Sequence, residues 1–219
     1  MLYFLPTPVK GVLAFLLYAL NTILLTVPLI LASLLKFVIP GRRFNVFITR
    51  FLMAIAFAWI EVNRFNNRLF CQINWDVRGL DVLEKKEWYL VLSNHQSWVD
   101  ILVLQTLFNG KIPMLKFFLK KELIWVPFLG LAWWALDFPF MKRYSRKELD
   151  ASPNLKGKDL ESTRKACEKF KFTPVSVINF VEGTRLTPEK MKKALQKTGP
   201  SQAGPPLAHL LPPKAGGIA

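Results

Sequence analysis

The chain has 219 residues, 52% of them hydrophobic, with 30 Lys+Arg against 15 Asp+Glu and a net charge of +15; its mean hydropathy is +0.25. That length suits one ordinary domain with an appendage, and the hydropathy exceeds that of a freely soluble protein. Basic and apolar together point to an anionic membrane surface, and against nucleic acid, because neither zinc-finger spacing nor a helix-turn-helix signal is present.

The N-terminus is the most apolar part. Gly11 to Leu35 is a run of 25 residues without a charge. As a helix it would be about 37 Å long, enough to span a hydrocarbon core with some tilt, with Pro28 a place to kink. It is too long for a cleaved signal peptide. Lys36, Arg42 and Arg43 follow it, which weakly favours that side as the positive one. Phe44 to Leu69 is apolar in its middle and flanked by Arg50, Glu61, Arg64 and Arg68. It reads equally as an interfacial amphipathic helix or as a core helix. Residues 1–70 are thus expected to be a membrane element and 71–219 an α/β domain.

From residue 71 the texture changes. Ile73 to Val77 alternates apolar and polar, which is strand-like. Trp88 to Ser93 is a continuous apolar run of strand length, expected to be buried. The stretch after Asp100 reads as a helix. Leu123 to Arg143, broken by Pro127, Gly130 and Pro139, predicts a short helix and a strand near 135–141. Gly157 to Phe170 carries helix chemistry with Asp159 as its cap. Pro174 to Val181 is another buried strand, and the Gly- and Pro-rich tail is loop. Alternating strands and helices argue an α/β fold with a mostly parallel central sheet flanked by helices. Cys71 and Cys167 lie far apart without metal-ligand spacing and read as reduced thiols.

Two of these strands end in polar clusters: Trp88–Ser93 in Asn94-His95 and then Asp100, Pro174–Val181 in Glu182-Gly183-Thr184-Arg185. If the strands are parallel, both clusters open on one sheet edge, where α/β folds gather ligands. His95 can take a proton from a hydroxyl, with Asp100 fixing its tautomer. Neither Ser93 nor Ser97 lies in a Gly-x-Ser-x-Gly elbow, so the pair suits direct attack by a substrate hydroxyl. A helix cap at Asp100 and a structural histidine is the other reading. Gly183 lets backbone N–H groups approach an anion, Thr184 adds a hydroxyl and Arg185 a fork for phosphate. A plain turn is the alternative there. Trp125, Trp133 and Trp134 could line an acyl pocket, sit at a membrane interface or simply be core; His209 has no assigned role.

Asn94-His95 followed by Asp100 resembles the Asn-His-x4-Asp motif of the glycerolipid acyltransferases, the 1-acylglycerol-3-phosphate acyltransferase family. Phe180-Val-Glu-Gly-Thr-Arg185 resembles that family's Phe-Pro-Glu-Gly-Thr-Arg motif. The segment between, with a basic residue before Glu122-Leu123, a Pro127-x-x-Gly130 turn and Arg143, looks like its linking segment, and the likeness covers roughly residues 70–219. It looks closest to a bacterial branch.

The resemblance implies that His95 is the general base on the free hydroxyl of a lysophospholipid, most simply 1-acylglycerol-3-phosphate, and that Asp100 orients it. The hydroxyl would attack an acyl thioester, acyl-CoA or acyl carrier protein, with no cofactor, no metal and no acyl-enzyme. Glu182, Gly183, Thr184 and Arg185 would bind the acylglycerol phosphate, with Lys120 and Arg143 also on phosphate. The setting implied is a bacterial inner membrane with the catalytic domain on the cytoplasmic side. An acceptor with another headgroup, or an inactive lipid-binding protein, are the rivals. Val181 replaces the family's proline. The family's fourth motif does not follow Ala219, so a C-terminally truncated chain is expected.

Overall fold

A computed structural model describes residues 2–141, 161, 164, 165, 167, 168, 170, 174–197 and 209–213. Most of the expected Gly157–Phe170 helix, the segment holding Arg143 and most of the tail lie outside these residues.

Two long helices form an antiparallel hairpin. Helix α1 covers Thr7–Val38, with a proline in its first turn, where a missing N–H is harmless. Pro28 is accommodated inside it. Helix α2 covers Arg42–Phe70. At the open end the Leu2 N–H donates to Leu69 O at 2.8 Å, and the Tyr3 hydroxyl donates to Arg68 O. The seam between the helices is polar. Asn21 Nδ2 donates to Asn63 Oδ1 at 2.7 Å and to Trp59 O at 3.0 Å. Tyr18 donates to Asn67 Oδ1 at 2.7 Å, and the Trp59 indole to Thr22 Oγ1 at 3.2 Å. Polar pairs in an apolar setting satisfy each other because water cannot, and this fixes the register of the two helices. The other face of α1 is apolar and exposed at Val12, Phe15, Leu24 and Leu31. Both helices are long and apolar enough to cross a membrane.

The sheet has the order β1-β5-β2 and is entirely parallel, with β1 at Tyr89–Ser93, β2 at Leu115–Phe117 and β5 at Ser176–Phe180. A second parallel pair joins β3 (Leu119–Lys120) to β4 (Phe140–Met141). Helix α3 spans Val99–Phe108, a 3₁₀ turn spans Lys121–Trp125, α4 spans Leu129–Ala135 and α5 spans Pro188–Lys197. The fold is therefore mixed α/β, as the alternation of elements predicts. β5, rich in β-branched residues, takes the centre, with Ser176 and Ile178 buried.

Two local expectations fail. Ile73–Val77 is not a strand, and Ile73, Trp75 and Val77 are exposed. Alternation alone makes no strand without a neighbour to take its backbone hydrogen bonds. β1 is a strand but not a buried one: Leu90 and Leu92 are 63% and 52% exposed. It pairs on one side only among the described residues.

One core runs through hairpin and sheet. Leu29, Ala32, Ile48, Leu52, Ile55 and Ala56 of the hairpin pack in the same cluster as Leu115, Phe117, Leu136, Phe138 and Ile178. One face of the hairpin is thus committed to the α/β part, and the other is left outward.

Candidate functional site

The parallel register sets Ser93 opposite Phe180. The two polar clusters therefore leave neighbouring strands at the same edge. Past the strand ends the loops stay joined: the Val181 N–H donates to Ser93 O at 3.2 Å and the Leu186 N–H to His95 O at 2.8 Å.

His95 Nδ1 lies 2.9 Å from Asp100 Oδ2. The same oxygen accepts the backbone N–H of Gln96 at 2.7 Å and of Ser97 at 2.9 Å. Asp100 stands in the first turn of α3 and turns its carboxylate back onto the N–H groups of Gln96 and Ser97, ahead of the helix, so one carboxylate ties the entering loop and holds the imidazole together. Of the two readings of Asp100, the contact with the histidine is present, whereas the helix has no side-chain cap bond. An ionised carboxylate only accepts, so Nδ1 carries a proton, and in the neutral ring the lone pair is on Nε2. The ring is held from its face by Phe180, stacked at 4.1 Å between centroids and 19° between planes. Phe180 in turn stacks on Phe117, and Phe117 on Phe138, which ties the histidine to the core.

Neither nearby serine is bonded to His95. The Ser93 hydroxyl donates to Asn94 O, and Ser97 Oγ accepts the Val99 N–H. Among the described residues the pair has no protein nucleophile attached to it.

Burial pushes the Asp100 carboxyl up, but the hydrogen bonds from His95, Ser97 and Gln96 and the histidine's charge outweigh it and hold the group below its ordinary value of 3.8. Its contribution to stability is complete above the unfolded-state value and is lost as pH falls through the lower folded-state value. In detergent, the thermal midpoint of the wild-type chain should therefore drop more steeply on acidification below about pH 4 than that of Asp100→Asn. Parallel curves would show that Asp100 is not stabilised by these partners.

The second cluster forms a turn after β5. Gly183 has φ of +64°, the left-handed conformation a glycine adopts without strain, and its N–H donates to Phe180 O at 2.8 Å. The Arg185 guanidinium stacks over Trp98 at 5.3 Å. Thr184 and Arg185 are half-buried, whereas Glu182 is 1% exposed. Among the described residues neither Glu182 oxygen has a hydrogen-bond partner. Lys120 ends β3 and is exposed. No described hydrogen bond or ion pair joins it to His95 or to the 182–185 turn. Arg143 lies outside the described residues.

Residue patterns did not single out Phe180, Gln96 or Lys190. Gln96 Nε2 donates to His209 O at 2.7 Å, so His209 lies against the His95 loop; Leu211, two residues on, is buried. Of the tryptophans, Trp133 packs on the core, while Trp125 is 85% exposed.

The family model "Acyltransferase" matches residues 74–216. The chain is 30% identical over 139 residues to 1-acyl-sn-glycerol-3-phosphate acyltransferase 3 of Arabidopsis thaliana, covering 63% of this chain and 34% of that protein. It is 29% identical over 130 residues to 1-acyl-sn-glycerol-3-phosphate acyltransferase gamma of Mus musculus, covering 58% and 32%. A Saccharomyces cerevisiae 1-acyl-sn-glycerol-3-phosphate acyltransferase is 30% identical over 129 residues, covering 58% and 38%. The chain spans about a third of the length of these curated relatives. No solved structure matches it significantly. The family model covers well over half of the chain, including both strand-end clusters, and on that match the chain belongs to the acyltransferase family.

Proposed function

We propose that the chain transfers an acyl group from an acyl thioester to the free hydroxyl of a lysophospholipid, and that the acceptor is 1-acylglycerol-3-phosphate. The observation that carries this reading is the His95–Asp100 pair at 2.9 Å, with no serine among the described residues bonded to it, on the sheet edge that also carries the Glu182–Arg185 turn. His95 Nε2 takes the proton of the acceptor hydroxyl as its oxygen attacks the thioester carbonyl. Asp100 orients the ring and stabilises the imidazolium. The C–S bond then breaks, and the thiol leaves with the proton returned by His95. Thr184 and Arg185 hold the acceptor's phosphate. The relatives' printed names, all 1-acyl-sn-glycerol-3-phosphate acyltransferases, support this acceptor.

The outward face of the hairpin docks the enzyme on a membrane, where such an acceptor resides. Its exposed Phe15, Leu24 and Leu31 support this, and Lys36, Arg42 and Arg43 at its turn suit anionic lipid headgroups.

One preparation tests both parts. The chain is expressed in membranes, washed with alkaline carbonate, then purified in detergent and given labelled acyl-CoA or acyl carrier protein with a panel of lysolipids. Retention in the washed membranes and label in phosphatidic acid are expected. No transfer to any acceptor from either donor would overturn the catalytic reading, and release by the wash would overturn docking through the hairpin.

A further inference from the structure

Lys190 is the third residue of α5, a surface lysine by its place in the sequence. Its ammonium is not directed to solvent alone. Nζ donates to Thr184 Oγ1 at 2.6 Å and to Arg185 O at 2.9 Å. Its start of helix is anchored nearby, because Thr187 caps the Lys190 N–H at 3.3 Å and accepts the Met191 N–H at 2.9 Å. The side chain therefore reaches back across the turn that carries Arg185, the turn whose Leu186 N–H hangs on His95 O.

The ion pairs among the described residues are Arg64–Glu61, Arg78–Asp76, His95–Asp100 and Lys165–Glu161. Neither Lys190 nor Arg185 belongs to one. The Lys190 ammonium is held by two neutral oxygens and the Arg185 guanidinium lies over the Trp98 ring, so neither cation has an anionic partner among the described residues. An anion bound at this turn would supply one. An ammonium has three N–H donors, and Thr184 and Arg185 occupy two.

We propose that Lys190 is a phosphate-binding residue of the acceptor site, its ammonium placed by Thr184 and Arg185 so that its third N–H meets the phosphate monoester that Arg185 also grips. This rests on the acceptor reading above and adds a cation to it. The tie to Thr184 gives that hydroxyl a second duty, since it orients the ammonium as well as lining the turn.

Three variants of the full chain separate binding from bracing. Lys190→Met should raise KM for 1-acylglycerol-3-phosphate by about ten- to a hundredfold, the range for a lost charged hydrogen bond, with kcat changed much less. It should leave KM for monoacylglycerol, which has no phosphate, nearly unchanged. Lys190→Arg should restore much of the loss. Lys193→Met removes the same charge from an exposed position of α5 and should change neither. A second readout needs no acyl transfer: sn-glycerol 3-phosphate should raise the thermal midpoint of the wild type and of Lys193→Met but not of Lys190→Met. If no acyl transfer is seen yet the midpoint shift is lost in Lys190→Met, the reaction assignment falls and the anion site stands. If Lys190→Met keeps both the wild-type KM and the midpoint shift, or raises KM equally for both acceptors, Lys190 does not bind phosphate.

Discussion

His95→Ala is expected to lower kcat for acyl transfer by about 10²- to 10⁴-fold, the range a positioned general base supplies. The loss should fall on kcat and leave the acceptor KM nearly unchanged, because in the proposed reaction the imidazole acts on a proton in flight and not on the headgroup. The fold should survive. His95 stacks on Phe180 at the strand end, and Asp100 keeps its backbone donors Gln96 and Ser97 when the ring is gone. A midpoint near that of the wild type together with collapsed transfer is therefore the expected pair of results. Asp100→Asn should move in the same direction, since a neutral amide cannot stabilise an imidazolium. Equal transfer by wild type and His95→Ala would remove the general-base assignment whatever the acceptor.

Much of this geometry is legible before any coordinates. Apolar runs of strand length that end in polar clusters place chemistry at a sheet edge, provided the strands are parallel and adjacent. The Ser93–Phe180 register meets that condition. The roles of Lys190 and Phe180 could not be read this way. Lys190 lies six residues from Thr184, across a strand-to-helix turn with no fixed period, so no spacing rule predicts that they touch. Phe180 looks like an ordinary strand aromatic until the register sets it under His95. Burial is less legible. Leu90 and Leu92 are exposed though their run is continuous, because they alternate with Tyr89, Val91 and Ser93 onto a sheet face that is left open. Glu182 is buried though it is charged. The shared core of hairpin and sheet is also invisible locally, since an apolar helix face looks the same whether it meets lipid or Phe138.

The largest effect on folding is expected from Gly130→Ala. In the sequence Gly130 closes a Pro127-x-x-Gly turn, and the structure gives the steric reason. A Cβ there would sit on the Ile124 carbonyl oxygen, 2.5 Å from the Ile124 carbonyl carbon and 2.9 Å from Leu123 O. These are backbone atoms of the 3₁₀ turn, not flexible side-chain ends, so the turn and α4 must separate. The approach is already tight: Phe128, just before α4, has φ of +61°, unusual for a residue with a side chain. Separation would pull Ala132, Ala135 and Leu136 away from the core that joins the hairpin to the sheet. We expect a loss of at least about 3 kcal/mol, seen as a midpoint lower by about 6–12 °C for a chain of this size. Gly110→Ala is the comparison. Its Cβ would meet only the Phe57 ring, at 3.0 Å, so its cost is mainly its φ of +72°, about 1–2 kcal/mol. Gly130→Ala should also lose acyl transfer, but in step with the midpoint, whereas His95→Ala loses transfer with the fold intact. A Gly130→Ala chain with an unchanged midpoint would mean that the 3₁₀ turn and α4 are not packed this closely, and Lys120, which leads into that turn, would lose its fixed position with them.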